Sequence, residues 1–284
     1  MREYDFSFSL GFCCTLTEAM RAEGLQFASA PFDWVGVSSL GQAVRLVADD
    51  FKDWFERDLL DLWDVRISGG FVTRVYKNRK TGIGFVHDFS NVDPIEEKFD
   101  AVKKSYDKRI DRFLTRVSHS KRVLAVYMEL PKIGRISNAC LCDFVRTLRA
   151  RFPNTELDLL YFYEDPSSQK WRVEEDSGGV TVVSADYRVM LDGKIMHLCR
   201  SDQLRECLRA FVSVPDIRTD AEKAEFDAYR RRRHAEMQAG NAQTRLGRWL
   251  NKRAARLFRD IEAYLERQKL LPADRPLWFD GDGK

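Results

Sequence analysis

Val123-Leu124-Ala125-Val126-Tyr127-Met128 and Leu157-Asp158-Leu159-Leu160-Tyr161-Phe162-Tyr163 are two strongly apolar runs, and the residues between them, from about Ser137 to Phe152, read as a helix. A strand-helix-strand order of this kind argues for a parallel pair joined by a right-handed crossover in a buried sheet. Downstream, Trp171 to Glu174, Val180 to Val183 and Val189 to His197 read as shorter strands, with turns at Gly178-Gly179 and Asp192-Gly193. Upstream, Phe6 to Leu10 alternates like a strand, Gly11 permits a sharp reversal, and about Thr15 to Glu23 reads as a helix. Leu40 to Phe55 reads as a second helix, with Val44, Val47, Ala48, Phe51 and Phe55 on one face. After a break at Ile67-Ser68-Gly69-Gly70, Phe71 to Tyr76 and Gly82 to Val86 form a hairpin across Asn78-Arg79-Lys80-Thr81, which places His87 at a strand end. Ile95, Phe99, Val102, Tyr106, Ile110, Phe113 and Val117 step by three or four and mark a long amphipathic helix with Pro94 at its start. The fold expected is α/β, with a central, mostly parallel sheet flanked by helices over residues 1–214 and a basic helical C-terminal extension over residues 215–284.

The clearest pointer to chemistry is Phe12-Cys13-Cys14-Thr15, at the turn from the first strand into the first helix. A thiol there meets unpaired backbone N–H groups and the positive end of the helix dipole, which favour the nucleophilic thiolate. The alternative is that both cysteines are small buried hydrophobes.

The segments that follow carry a resemblance. Ser9-Leu10-Gly11-Phe12-Cys13-Cys14, then a helix ending in Gly24-Leu25, then Ser29-Ala30-Pro31-Phe32-Asp33-Trp34, resemble the bacterial papain-like cysteine peptidase family, a domain of unknown function. Phe85-Val86-His87-Asp88-Phe89 and Tyr106-Asp107-Lys108-Arg109-Ile110-Asp111-Arg112-Phe113 are similar to that family's His-Asp and Tyr-x-x-Arg-Ile-x-Arg-Phe elements, so the resemblance runs from about Ser9 to Glu129. It implies a papain-like-related catalytic core, with the nucleophile on Cys14 rather than Cys13 and the imidazole base on His87.

A third group should orient the imidazole. Asp88 adjoins His87, but adjacent strand residues face opposite ways, so it fits only if the strand ends there. Asp33 is a second candidate, with a turn or helix-cap role as the structural alternative, and Asp158 is a third. Ser9 is expected to hydrogen-bond the turn, and Arg109 and Arg112 either pair with acids on the long helix or reach an anionic substrate. Cys140 and Cys142, two apart on a helix, face nearly opposite sides and read as packing residues; no metal and no cofactor are expected.

The function expected is a cysteine-nucleophile peptidase or hydrolase working through a covalent acyl-thioester on a peptide or an acyl-bearing small-molecule or glycan substrate. Alternatives are an acyltransferase with an acyl-CoA-type donor and a glycan or small acceptor, as in polysaccharide biosynthesis, and a non-catalytic scaffold with a basic docking helix. The chain carries a net charge of +3, while fourteen Lys or Arg face eight Asp or Glu between Arg218 and Lys269. A helical stripe of Leu246, Trp249, Leu250, Leu257, Ile261, Tyr264 and Leu265 beside this charge is either a solvated face or a surface for an anionic partner or a membrane. Nucleic-acid binding is not expected from Arg230-Arg231-Arg232-Arg233-His234, because no recognition module accompanies it. With 44% hydrophobic residues, six cysteines, no apolar run near 18 residues and a start that leads straight into a strand, the chain reads as a cytoplasmic protein with reduced thiols and no transmembrane segment.

Overall fold

Alternation of short apolar runs with amphipathic segments produces a mixed α/β architecture in the computed structural model, which describes residues 2–11, 14–37, 39–68, 71–90, 95–129, 133–168, 171–185 and 202–215 and seven positions between 220 and 231. Cys13, the Gly69-Gly70 break, Pro94, the expected strand from Val189 to His197, Cys199 and the apolar stripe from Leu246 to Leu265 lie outside the described residues. The described residues of Met1–Leu60, Asn78–Phe85 and Phe99–Asp216 form one compact unit, and those of Asp61–Lys77, Val86–Lys98 and Ile217–Lys284 belong to a second.

The first unit is built on a five-stranded sheet of β2 (Phe6–Ser9), β7 (Arg122–Met128), β8 (Glu156–Glu164), β10 (Val180–Ala185) and β9 (Arg172–Ser177), in that spatial order. The two apolar runs do lie side by side in parallel, with Val123 opposite Leu157 and Met128 opposite Phe162. Pairing of β2 with β7 and of β10 with β8 is parallel as well, and only β9, at the edge, runs antiparallel, so the sheet is mixed. The β9–β10 turn uses Gly178 and Gly179 at φ of 62° and 83°. β1 (Arg2–Glu3) pairs in parallel with β11 (Val212–Ser213), which follows α5 (Asp202–Phe211), a helix with no counterpart among the sequence expectations.

α1 (Cys14–Ala22) packs against β2, α4 (Asn138–Arg151) against β8 and β10, and α2 (Leu40–Ala48) against α4. α4 begins where the Ser137 hydroxyl accepts the Cys140 N–H at 3.3 Å. α2 stops at Ala48 instead of continuing to Phe55. Phe51 N–H donates to the Leu46 carbonyl at 2.7 Å and Asp50 N–H to Val47 at 3.3 Å, a reversal that sets Asp50 and Phe51 at φ of 52° and 57°. What the reversal secures is packing. Phe51 meets Phe32, Trp54 and Phe113 at ring centroid distances of 5.3–5.7 Å, and Phe55 meets Phe85 and Tyr106 at 4.7 and 5.3 Å. Aromatic pairs of this kind contribute about 0.5–1.5 kcal/mol each beyond their buried area.

A second sheet has the order β3 (Val35–Gly36), β6 (Gly84–Ser90), β5 (Phe71–Asn78), β4 (Leu60–Ser68), and β3 pairs antiparallel with the first two residues of β6. β4 was not expected. The β5–β6 hairpin was, and Asn78 closes it: its Oδ1 accepts the N–H groups of Lys80 and Thr81, both at 2.9 Å. α3 (Ile95–His119) follows β6 and buries Tyr106, Phe113 and Val117.

Candidate active site

Everything about the Cys14 end of the first unit follows from β2 and the turn after it. All four residues of Phe6-Ser7-Phe8-Ser9 are buried, the phenylalanines on one face and the serines on the other. Each serine therefore needs a partner. Ser7 donates to the Leu25 carbonyl at 2.5 Å, and Ser9 accepts the Gly11 N–H at 3.0 Å, the turn-bracing role expected of it. Gly11 sits at φ +96°, and a Cβ there would lie 2.5 Å from Val37 Cγ2, so no other residue fits the turn without displacement. Cys14 opens α1 as a half-buried side chain that forms no disulfide, and no acidic residue occupies the first turn of the helix. Its position meets the N–H groups that a helix leaves unpaired at its start.

Asp33 belongs to the same unit and is fully buried. Its carboxylate accepts from Arg21 Nη2 at 2.9 Å, Gln26 Nε2 at 2.9 Å, the Ala30 N–H at 2.8 Å and Thr17 Oγ1 at 3.3 Å. Burial pushes the carboxyl above its ordinary range against the pull of Arg21 and these donors. The residue ties α1 to the loop that follows it.

His87 and Asp88 belong to the second unit. His87 is the fourth residue of the seven-residue β6 and not its last, because the strand continues to Ser90. Its side chain is exposed, between Phe85 and Phe89, which are 0% and 2% exposed. Asp88, half-buried, lies next to it in the middle of a strand, where neighbouring side chains diverge. Asp158 sits low on β8, opposite Leu124, where it accepts from the Tyr4 hydroxyl at 2.9 Å and pairs with Arg149 at 3.2 Å. That is the amino end of the parallel strands, away from Cys14.

One residue escaped notice in the sequence. Glu129 is 3% exposed directly after β7, and its N–H donates to the Phe162 carbonyl at 2.8 Å. Ser9 is opposite Val126 and the Leu10 N–H donates to the Val126 carbonyl at 2.8 Å, so Glu129, three residues further along the chain, lies at the carboxyl end of the sheet, where open α/β sheets bind ligands. Tyr127 donates to it at 3.4 Å, and the Tyr127 and Tyr161 rings stack at 6.3 Å. Burial drives both phenols far above their ordinary range. The available signal was a lone charge closing a run of six apolar residues.

With this geometry in place, comparison with known proteins is informative. The family described as "Putative papain-like cysteine peptidase (DUF1796)" matches residues 5–165, more than half of the chain. This chain belongs to that family. The papain-like cysteine peptidase match takes in the Ser9-to-Cys14, Asp33, His87 and Arg109-to-Arg112 segments and extends beyond Glu129 through β8. No curated protein and no solved structure matches the chain. Among the described residues, no helix is long and apolar enough to cross a membrane, and no group of three His, Cys, Asp or Glu side chains is placed to hold a metal ion.

Proposed function

We propose that this family member is a cysteine hydrolase whose nucleophile is Cys14 and whose base is His87. The observation that carries the reading is the placement of Cys14 as the first residue of α1, directly after a glycine-dependent reversal from a buried strand. Thiols at helix starts are biased toward thiolate, and a half-buried one remains reachable by substrate.

In the reaction the Cys14 proton passes to the imidazole and sulfur attacks an acyl carbon. The developing oxyanion is received by N–H groups at the start of the helix. The bond to the leaving amine, alcohol or thiol breaks as that group takes the proton back. Water then attacks the thioester, releasing the acid and restoring the thiol. A hydroxyl acceptor in place of water makes the same acyl-enzyme a transferase. The reading requires Sγ of Cys14 and a ring nitrogen of His87 to come within hydrogen-bond reach. For the group that completes the site, the position of Glu129 at the same sheet end favours it over Asp33, whose oxygens already accept from four residues.

Intact mass spectrometry after exposure to peptides and acyl-thioesters tests the proposal. One acyl group is expected on Cys14 and none on a Cys14→Ala variant. Adducts spread evenly over Cys14, Cys140 and Cys142, or none at all, would leave the domain a non-catalytic scaffold.

A further inference from the structure

On α3, at about 100° per residue, Arg109, Arg112 and Arg116 fall within an arc of about 60° on one flank of the buried stripe, and Asp107 and Asp111 fall on the other. No residue three or four positions from any of these arginines is acidic, so the helix offers them no ion-pair partner. Neutral groups hold two of them instead. Arg112 Nη2 donates to the Ser29 carbonyl at 2.9 Å, and the Arg109 guanidinium lies 4.8 Å from the centre of the Tyr106 ring. Arg109 Nη1 is buried with no hydrogen-bond partner.

A fourth cation reaches the same spot from α1. Arg21 Nη2 donates to the Ser29 hydroxyl at 2.8 Å and to Asp33 at 2.9 Å, while its Nε is buried and unpartnered. Partial burial, followed by repulsion from Arg116 and Arg109, holds the Arg112 guanidinium below its ordinary range. Asp33 is the one carboxylate among the described residues that pairs with any of the four, so four guanidiniums face a single negative charge. Concentrating unpaired positive charge this way is costly unless an anion completes it.

We propose that Arg21, Arg109, Arg112 and Arg116, with Ser29 between them, bind a phosphate-bearing small molecule. Guanidinium forks match phosphate oxygens in pairs, and a group carrying two or more negative charges offsets the excess where a single carboxylate would not. The three helix arginines span seven residues, about 10 Å along the axis, which suits one or two phosphates rather than a polyanionic strand. The site does not rest on the thiol: Arg21 is also seven residues, about 10 Å, along α1 from Cys14.

Calorimetric titration of the full chain with inorganic pyrophosphate tests this. Saturable one-site binding is expected, weakened about tenfold or more by Arg112→Ala and by Arg116→Ala, and only partly by Arg112→Lys. Arg116→Ala matters because Arg112 also braces Ser29, and thermal melts establish that each variant is folded. Lys104→Ala, on an exposed part of the same helix outside the arc, should leave affinity unchanged, as should Cys14→Ser. Absence of saturable binding, or equal losses in Lys104→Ala and Arg116→Ala, overturns the proposal in favour of diffuse surface charge.

Discussion

Asp33 illustrates how one side chain can matter without touching the chemistry. Arg21, Gln26, Thr17 and the Ala30 N–H all converge on its carboxylate in a place from which water is excluded. Removing it leaves Arg21 with the Ser29 hydroxyl and Gln26 with the Ala28 carbonyl but strips both of the buried carboxylate they share, so Asp33→Ala should cost about 3 kcal/mol of stability, measured by urea unfolding. Its pH dependence has a definite sign. Because burial raises the folded-state value above the ordinary 3.8, the folded form holds its proton more tightly than the unfolded one, and the stability this contributes is present below 3.8 and lost as pH rises through the folded value. The advantage of the wild-type chain over Asp33→Asn in urea midpoint should therefore shrink on going from pH 3 towards neutrality; a widening gap would reverse the sign. In the sequence, Pro-Phe-Asp-Trp indicated only a turn or a candidate orienting group. The number of donors pointing at Asp33 depends on α1 folding back over the loop, which no local pattern encodes.

The turn between β2 and α1 is the element on which the proposed site stands. Gly11 supplies a backbone conformation that side chains resist, and Val37 occupies the space a Cβ would need. Gly11→Ala should thus lower stability by about 3 kcal/mol and slow Cys14 alkylation in whatever remains folded, compared by urea unfolding and iodoacetamide labelling. This element was legible because alternation, a glycine and a helical period follow one another within a few residues. α2 was less so. Its apolar period continues through Phe51 and Phe55, yet the chain reverses at Asp49, because the aromatic cluster of Phe32, Phe51, Trp54 and Phe113 rewards a bend that the helix pattern did not signal. β4 went unread for a related reason: Asp61, Asp64 and Arg66 interrupt its apolar pattern, and it is a strand through its neighbour β5.

Across the whole chain, the proposed chemistry pairs two residues 73 positions apart in sequence, Cys14 and His87. The test belongs to that scale. If the imidazole takes the thiol proton, the rate of Cys14 alkylation in the wild-type chain should rise with an apparent pKa well below the unperturbed thiol value of about 8.5, and His87→Ala should move it back up by at least one unit. Identical profiles in the two proteins would separate the thiol from the imidazole and remove His87 from the mechanism. Glu129→Gln, measured alongside, asks whether the buried carboxyl at the end of β7 shares in that shift.

β2, β5 to β10, α1, α3 and α4, the parallel crossover from β7 to β8 and the thiol at the start of α1 were readable from residues alone, since each depends on periods of two or about 3.6 and on turn chemistry spanning a few positions. The stop of α2, the mid-strand position of His87, the burial of Asp33 and Glu129 and the crowding of Arg21 against Arg109, Arg112 and Arg116 were not. Each depends on which distant segments become neighbours, and burial and electrostatic repulsion act through space rather than along the chain.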